Sequence, residues 1–212
     1  MPPICSHTNN FYSRLVAHFY DPIMRGVENS FLETKRRQLL QHAHGRILEV
    51  GAGTGVNFHL YASQAQVLAV EPSGAMLKYA RRRLAQGEAH AHIELLEAGI
   101  EDSRVKTAIP ESGFDCIVCT LVLCTLPGLE DAIQLFRQWL KPGGQLLVIE
   151  HIRDTRQPQR WLQRAITPVW KHLAEGCHLD RPTDELLKAA GFRVVKEAYF
   201  HRWVPFYWGI FE

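Results

Sequence analysis

The chain has 212 residues, enough for one domain of ordinary size with its own hydrophobic core. Apolar residues make up 46% and charged residues 22%, which is typical of soluble globular proteins and excludes disordered, collagen-like and low-complexity classes. Basic residues number 24 against 22 acidic ones, so no basic surplus indicates a nucleic-acid partner.

Residues 1–45 are predicted to form a helical cover ahead of the core. Phe11, Tyr12 and Phe19 fall on one helical face. A second helix is expected near residues 28–43, where Glu33 and Arg37 stand at the i,i+4 spacing of a helical ion pair.

Residues 46–150 alternate between predicted strands and helices. Strands are expected at residues 46–50, 66–70, 93–96, 114–119 and 145–149. A helix through Leu60 follows a glycine loop, a second begins at a Ser73 cap, and a third spans about 129–140 before a tight turn at 141–144. This alternation predicts an α/β fold with a parallel sheet covered on both faces.

Residues 151–182 are predicted to form a second helical cover. One helical face carries apolar side chains at positions 161, 162, 165, 166 and 169, and another carries arginines at 153, 156, 160 and 164. We interpret it as an ordinary amphipathic helix that Pro168 kinks or ends. Contact of the arginine stripe with an anionic membrane surface, or with an acidic substrate, stays open.

Residues 183–212 are expected to close the fold. Thr183 is predicted to cap a short helix over 183–190, and two strands at 192–198 and about 205–211 pair as a hairpin. With no internal repeat or long linker, the four zones make one domain over residues 1–212.

No membrane span or secretory signal is expected. The longest largely apolar run, residues 116–124, is far shorter than the roughly 20 residues that cross a bilayer. The 5 cysteines are sparse and odd in number, so we expect a reduced, cytoplasmic protein. Cys116 and Cys119 spell C-x-x-C on a strand, where they point to opposite faces, so no metal site is predicted.

A glycine loop, Gly51-Ala-Gly53-Thr-Gly55, lies between a buried strand and a predicted helix. Glycines there permit a sharp turn and close approach of a ligand. Glu71 ends the next strand and can accept the hydroxyls of a ribose. The G-x-G-x-G spacing, with Glu49 before it, departs from the dinucleotide fingerprint and favours S-adenosylmethionine.

With these motifs the chain resembles the class I S-adenosylmethionine-dependent methyltransferases. The resemblance implies a Rossmann-like three-layer sandwich with a seven-stranded, mostly parallel sheet of order 3-2-1-4-5-7-6, whose strand seven is antiparallel. It also implies that S-adenosylmethionine is bound and S-adenosylhomocysteine released. The binding residues expected on this basis are Glu49, Gly51, Ala52, Gly53, Gly55, Asn57, Glu71, Pro72, Met76, Gly99, Ile100, Glu101, Cys119, Thr120 and Leu121.

The acceptor is expected over the carboxyl ends of strands four and five. His151 is the preferred general base, and a purely structural histidine is equally consistent with its position; Glu150 is expected to orient or cap. The predicted pocket residues are Tyr12, Phe19, Tyr20, Cys124, Trp170 and Cys177.

Further matches resemble the alkyl thiol S-methyltransferase subgroup, at residues 119–124, 150–151, 168–170, 176–181 and 190–192. They imply methyl transfer to the sulfur of a small thiol. Methylation of phospholipid head groups or quinones at nitrogen or carbon, and a silent binding module, remain alternatives. The partner is therefore a small molecule, and the oligomeric state is left open.

Overall fold

The computed structural model describes residues 31–174, 176–202 and 204–212. Its strands are β1 (Arg46–Val50), β2 (Gln66–Val70), β3 (His92–Leu96), β4 (Phe114–Thr120), β5 (Leu140–His151), β6 (Val194–His201) and β7 (Pro205–Phe211). The helices of this part are α1 (Glu33–Leu40), α2 (Gly74–Ala85), α3 (Ser103–Thr107), α4 (Leu129–Trp139), α5 (Gln157–Leu173) and α6 (Thr183–Ala189), with a 3₁₀ turn at Phe58–Leu60.

The strands form one sheet of order β3-β2-β1-β4-β5-β7-β6. β1 pairs in parallel with β2 and β4, whereas β7 runs antiparallel to both β5 and β6. The predicted fold and strand order are confirmed. Since the parallel strands end at one edge, the segments after β1, β2, β4 and β5 meet there.

Two hydrophobic clusters fill the two faces of the sheet. Along β4, Cys116 belongs to one cluster and Cys119 to the other, as the alternation of a strand requires. Both faces are buried, which explains why the central strands need nearly continuous apolar runs.

α1 packs against this sheet and brings its residues to the functional edge. Its buried side chains are Arg36, Leu39 and Leu40, and the Trp208 indole N–H donates to the Lys35 carbonyl at 3.2 Å. The predicted Glu33–Arg37 pair is present at 3.1 Å on the exposed face. The first 30 residues, with the predicted pocket residues Tyr12, Phe19 and Tyr20, lie outside the described part.

Four local predictions are wrong in detail. The predicted tight turn at 141–144 lies inside β5, because Leu140 already pairs with Phe114 and a register shift before Cys116 takes up the extra residues. The segment after the glycine loop forms turns and the 3₁₀ turn at Phe58–Leu60 in place of a longer helix. α5 does not end at Pro168, since the carbonyl that loses its partner belongs to the exposed Arg164, and a kink there stays a prediction. Thr183 is the first helical residue of α6 and makes no capping bond, because Pro182 occupies the cap position.

α5 also reverses the expected packing. An ordinary amphipathic cover helix buries its apolar face, yet Trp161, Leu162 and Val169 are exposed while Gln163 and Thr167 are buried. The buried Gln163 side chain accounts for this orientation, because it bonds to the backbone of residues 152 and 154.

Candidate active site

The glycine loop after β1 turns sharply at three left-handed positions. Gly51, Gly53 and Gly55 have φ of 66°, 56° and 81°. A Cβ at Gly51 would lie 2.3 Å from Val122, and one at Gly55 would lie 2.5 Å from the Phe58 ring. A Cβ at Gly53 would meet nothing within 4 Å. Gly51 and Gly55 therefore serve packing, and Gly53 faces the space that a ligand can fill.

Glu71 links this loop to the end of β2. Its Oε2 accepts the Gly53 N–H at 3.0 Å, and its Oε1 accepts the Ser73 N–H at 2.9 Å. A carboxylate can accept several hydrogen bonds at once, so these backbone bonds are compatible with acceptance of ribose hydroxyls. Nearby, Pro72 is exposed and Met76 is buried at the start of α2.

The segment after β3 lies beside Glu71 at the same edge of the sheet. The Glu71 N–H donates to Leu96 O at 3.1 Å, and Ala98 N–H donates to Glu71 O at 3.2 Å. Ile100 is buried and Glu101 is exposed. A Cβ at Gly99 would lie 2.6 Å from Glu101 Oε1. The predicted adenine-contacting residues thus adjoin the predicted ribose carboxylate.

A buried polar network closes the other end of the glycine loop. Asn57 Nδ2 donates to Glu49 Oε1 at 2.7 Å and to Thr120 Oγ1 at 3.0 Å. Arg36 Nη1 donates to Asn57 Oδ1 at 3.0 Å and to Thr120 Oγ1 at 2.5 Å. The structure therefore brings Glu49, Asn57 and Thr120 together, as a shared site requires.

Arg36 is the member of this network that sequence reasoning missed. A signal for it exists, because Arg36 falls in the helical stripe of Leu32, Leu39 and Leu40, where an arginine has no packing role.

Glu49 is the carboxylate most perturbed by burial at this end. Burial raises its pKa to about 7, and interactions with Asn57 and Tyr61 and the charge of Arg36 offset that rise only in part. Its Oε2 has no hydrogen-bond partner among the described residues. A buried carboxylate oxygen in this state is suited to a cationic group such as an ammonium.

The turn after β4 is held by Glu150. Its Oε1 accepts the N–H groups of Val122 and Leu123 at 2.6 and 2.7 Å. The preceding Leu121 has φ of 58°, an uncommon conformation for a bulky residue, and its N–H donates to Ile149 O at 2.8 Å. Burial raises the Glu150 pKa to about 7. Glu150 therefore holds the backbone of this turn through two N–H groups, and a catalytic part for it stays a prediction.

A cluster of two thiols and an imidazole follows β4 and β5. Donor atoms of Cys124, His151 and Cys177 lie within 4.8 Å of one another, and all three residues are buried. His151 Nε2 is 3.0 Å from Cys177 Sγ, and His178 N–H donates to Cys124 O at 3.0 Å, which fixes the two segments side by side. His151 Nδ1 has no partner among the described residues.

The cluster polarises its two thiols in opposite directions. Hydrogen bonds from Cys124, His151 and the Trp170 indole lower the Cys177 pKa, although burial opposes the charge. The bond to Cys177 and burial raise the pKa of Cys124. Burial opposes protonation of His151, but the bond and charge of Cys177 outweigh it and raise the His151 pKa. The arrangement therefore favours ionisation of the Cys177 thiol over that of Cys124.

The chain matches the methyltransferase domain family over residues 24–197. It is 31% identical over 186 residues to thiol S-methyltransferase TMT1B of Rattus norvegicus, covering 82% of this chain and 75% of that protein. It is 25% identical over 168 residues to a phosphatidylethanolamine N-methyltransferase of Cereibacter sphaeroides, covering 78% and 80%. The fold is similar to that of the N-methyltransferase NodS of Bradyrhizobium japonicum WM9, solved with S-adenosylhomocysteine, with a TM-score of 0.68, 20% identity and coverage of 96% and 98%.

Proposed function

Since the chain belongs to the methyltransferase domain family and is a class I S-adenosylmethionine-dependent methyltransferase, we propose that it methylates the sulfur of a small thiol. The observation that carries the proposal is the buried His151, which has a ring nitrogen without a partner among the described residues and lies beside the Cys177 thiol. Similarity to a thiol S-methyltransferase over most of both chains supports the same acceptor.

The residues around the glycine loop fit the donor. When bound, S-adenosylmethionine supplies an electrophilic sulfonium methyl group. Gly53 leaves room beside the loop, and the Glu49 Oε2, unpartnered within the described part, suits the ammonium of the methionine part. In this proposal Glu71 accepts the ribose hydroxyls, and the loop at Ile100 lies against the adenine. These residues bind and orient, which supplies proximity more than chemistry.

His151 takes the acceptor proton in this proposal. With a hydrogen on Nε2 directed at Cys177, the ring has its Nδ1 lone pair free to accept a proton from an incoming thiol. The Cys177 thiolate then stabilises the imidazolium, as a buried carboxylate does in other catalytic dyads. A thiol titrates near ~8.5, so removal of its proton at neutral pH raises its nucleophilicity.

A panel of acceptors tests the proposal. Purified protein and S-adenosylmethionine are incubated with alkyl thiols, amines, a reduced quinone and phosphatidylethanolamine, and S-adenosylhomocysteine is quantified. Thiols should give product. Product from phosphatidylethanolamine alone would instead support N-methylation, the second candidate, which the relative from Cereibacter sphaeroides favours. Donor binding with no turnover on any acceptor would leave a silent binding module.

A matched pair of histidine variants tests the base. His151→Gln should lower kcat about 10²-fold at pH 7 and remove the limb of the pH profile in which the rate rises as the imidazole loses its proton. Because the His151 pKa is raised, that limb lies above the ordinary pKa of 6.5. His44→Gln is the control, since His44 Nδ1 also approaches a cysteine, Cys116, at 3.7 Å, but away from this edge.

Two results would contradict the base role. The first is a pH–rate profile of His151→Gln that is the same as that of the wild type. Loss of activity on treatment with a chelator is the other, because two thiols and an imidazole can also serve a cation.

A further inference from the structure

Helix α5 has its apolar face outward. Among the described residues, five of the seven exposed large hydrophobic side chains lie on this helix, with Trp161 71%, Val169 63% and Leu162 53% exposed. They form one helical arc with Ile166 and Trp170. A cluster of this kind on one element, with two tryptophans in it, is typical of an interaction surface.

Polar contacts explain why the helix sits this way round. Gln163 Oε1 accepts the Asp154 N–H at 2.7 Å, and Gln163 Nε2 donates to Ile152 O at 3.1 Å. One turn further along, Thr167 is buried on the same side. The Thr167 hydroxyl donates to Gln163 O inside the helix, so Gln163 is the anchor to the backbone of residues 152 and 154, and the apolar arc faces away from the described body.

The charge on α5 is of one sign. Residues 157–173 contain no aspartate or glutamate, and Arg160, Arg164 and Lys171 fall together along one flank of the apolar arc. Arg156, just before the helix, is paired with Asp154 at 2.8 Å and adds little to this flank. The flank is therefore complementary to an anionic surface.

We propose that α5 docks the enzyme on an anionic lipid bilayer. The apolar arc inserts at the level of the lipid head groups, where tryptophan rings are favoured, and the arginines lie against the lipid phosphates. An apolar arc with a cationic flank is typical of a helix that lies parallel to the membrane surface. Among the described residues, no helix is long and apolar enough to cross a bilayer.

The docked face adjoins the acceptor cluster. Trp170 belongs to the apolar arc, and its indole contributes a hydrogen bond that lowers the pKa of Cys177. This step rests on the proposed function: a thiol with an apolar chain, dissolved in the bilayer, would reach His151 from the docked side. The acceptor class is then a lipid-soluble thiol.

Sedimentation with vesicles tests docking without any methyl transfer. Full-length protein is mixed with vesicles of phosphatidylcholine alone, or of phosphatidylcholine with phosphatidylglycerol. Binding should require the anionic lipid and weaken in high salt. Replacing Arg160 and Arg164 by Gln should weaken it about fivefold for each charge. Binding that is absent from both kinds of vesicle would overturn the proposal.

Matched apolar variants locate the surface. The double variant Trp161→Ser/Val169→Ser should lose more than tenfold in vesicle affinity, whereas Val195→Ser, at an equally apolar position 44% exposed on β6, should bind as the wild type does. Since these side chains are exposed, the variants should keep the wild-type Tm. Equal binding by the double variant would overturn the proposal, as would a wild-type dimer in solution that the double variant converts to a monomer.

One readout separates this proposal from the thiol assignment. The Trp161→Ser/Val169→Ser variant should methylate a water-soluble thiol at the wild-type rate and an octyl or longer alkanethiol in anionic vesicles more slowly. If α5 does not dock on lipid, methylation of the water-soluble thiol is still observed. If the acceptor is not a thiol, neither thiol is methylated.

Discussion

Replacing Glu49 by Gln should stabilise the ligand-free protein above neutral pH. Burial raises the Glu49 pKa from 4.5 to about 7, so the folded chain holds a proton that the unfolded chain has already lost. The free energy of unfolding therefore falls as pH rises from about 4.5 to about 7 and is flat beyond. The shift corresponds to about 3 kcal/mol of lost stability at pH 8.

The Glu49→Gln substitution removes this ionisation while preserving the acceptor for Asn57. The side-chain oxygen of the introduced glutamine can take the bond that Glu49 Oε1 takes now, at 2.7 Å. The new amide N–H group can donate to the nearby Tyr61 hydroxyl, which interacts with Glu49 in the wild type. We expect a gain of about 2–3 kcal/mol at pH 8 and under about 1 kcal/mol at pH 5.

Urea unfolding at pH 5 and pH 8 measures both gains. Glu33→Gln is the control, because Glu33 is an exposed partner of Arg37 and its loss should change stability by under about 0.5 kcal/mol at either pH. An equal gain from Glu49→Gln at the two pH values, or a loss at pH 8, would refute the assignment of a protonated carboxyl to this position.

The remaining predictions concern the donor loop and the turn that faces it. Gly55→Ala should cost about 1–3 kcal/mol in urea unfolding, because its Cβ meets the Phe58 ring, whereas Gly53→Ala should cost about 1 kcal/mol and chiefly weaken donor binding by calorimetry. Equal effects of the two on donor affinity would contradict the difference in their surroundings. Arg36→Gln should weaken donor binding roughly tenfold or more, since it breaks two buried charge-assisted bonds; unchanged affinity would separate this network from the donor. Glu150→Ala should lower the free energy of unfolding by about 2–4 kcal/mol by leaving two buried N–H groups without an acceptor, and Glu150→Gln should restore most of it.

The central sheet could be predicted from sequence because its signals are local. β1, β2 and β7 have the expected bounds, since each is a short apolar run between turn residues. Their order follows from the family resemblance and from no pattern within the runs. The glycine loop and Glu71 can likewise be identified from sequence, because each is a characteristic residue type at a set distance from the strand before it.

The parts that sequence reasoning missed depend on which side of a helix faces the body. Arg36 joins the buried network of Asn57 and Thr120 only because α1 turns that face toward β4. The apolar stripe of α5 predicts that this face is buried. In the structure the opposite face is buried, because Gln163 bonds to the backbone of residues 152 and 154. Periodicity in the sequence shows that a helix has an apolar and a polar face, but tertiary contacts determine which face is buried.

The contact between Gly51 and Val122 has a consequence for how this enzyme can diversify. The donor loop touches the turn after β4 at a spacing too small for a methyl group, and that turn is fastened to Glu150, the chain neighbour of His151. Under the proposed function, the gap across which the methyl group travels is bounded by these packed central segments. New acceptors must be accommodated by changes in the outer segments, with the span of the reaction itself left untouched.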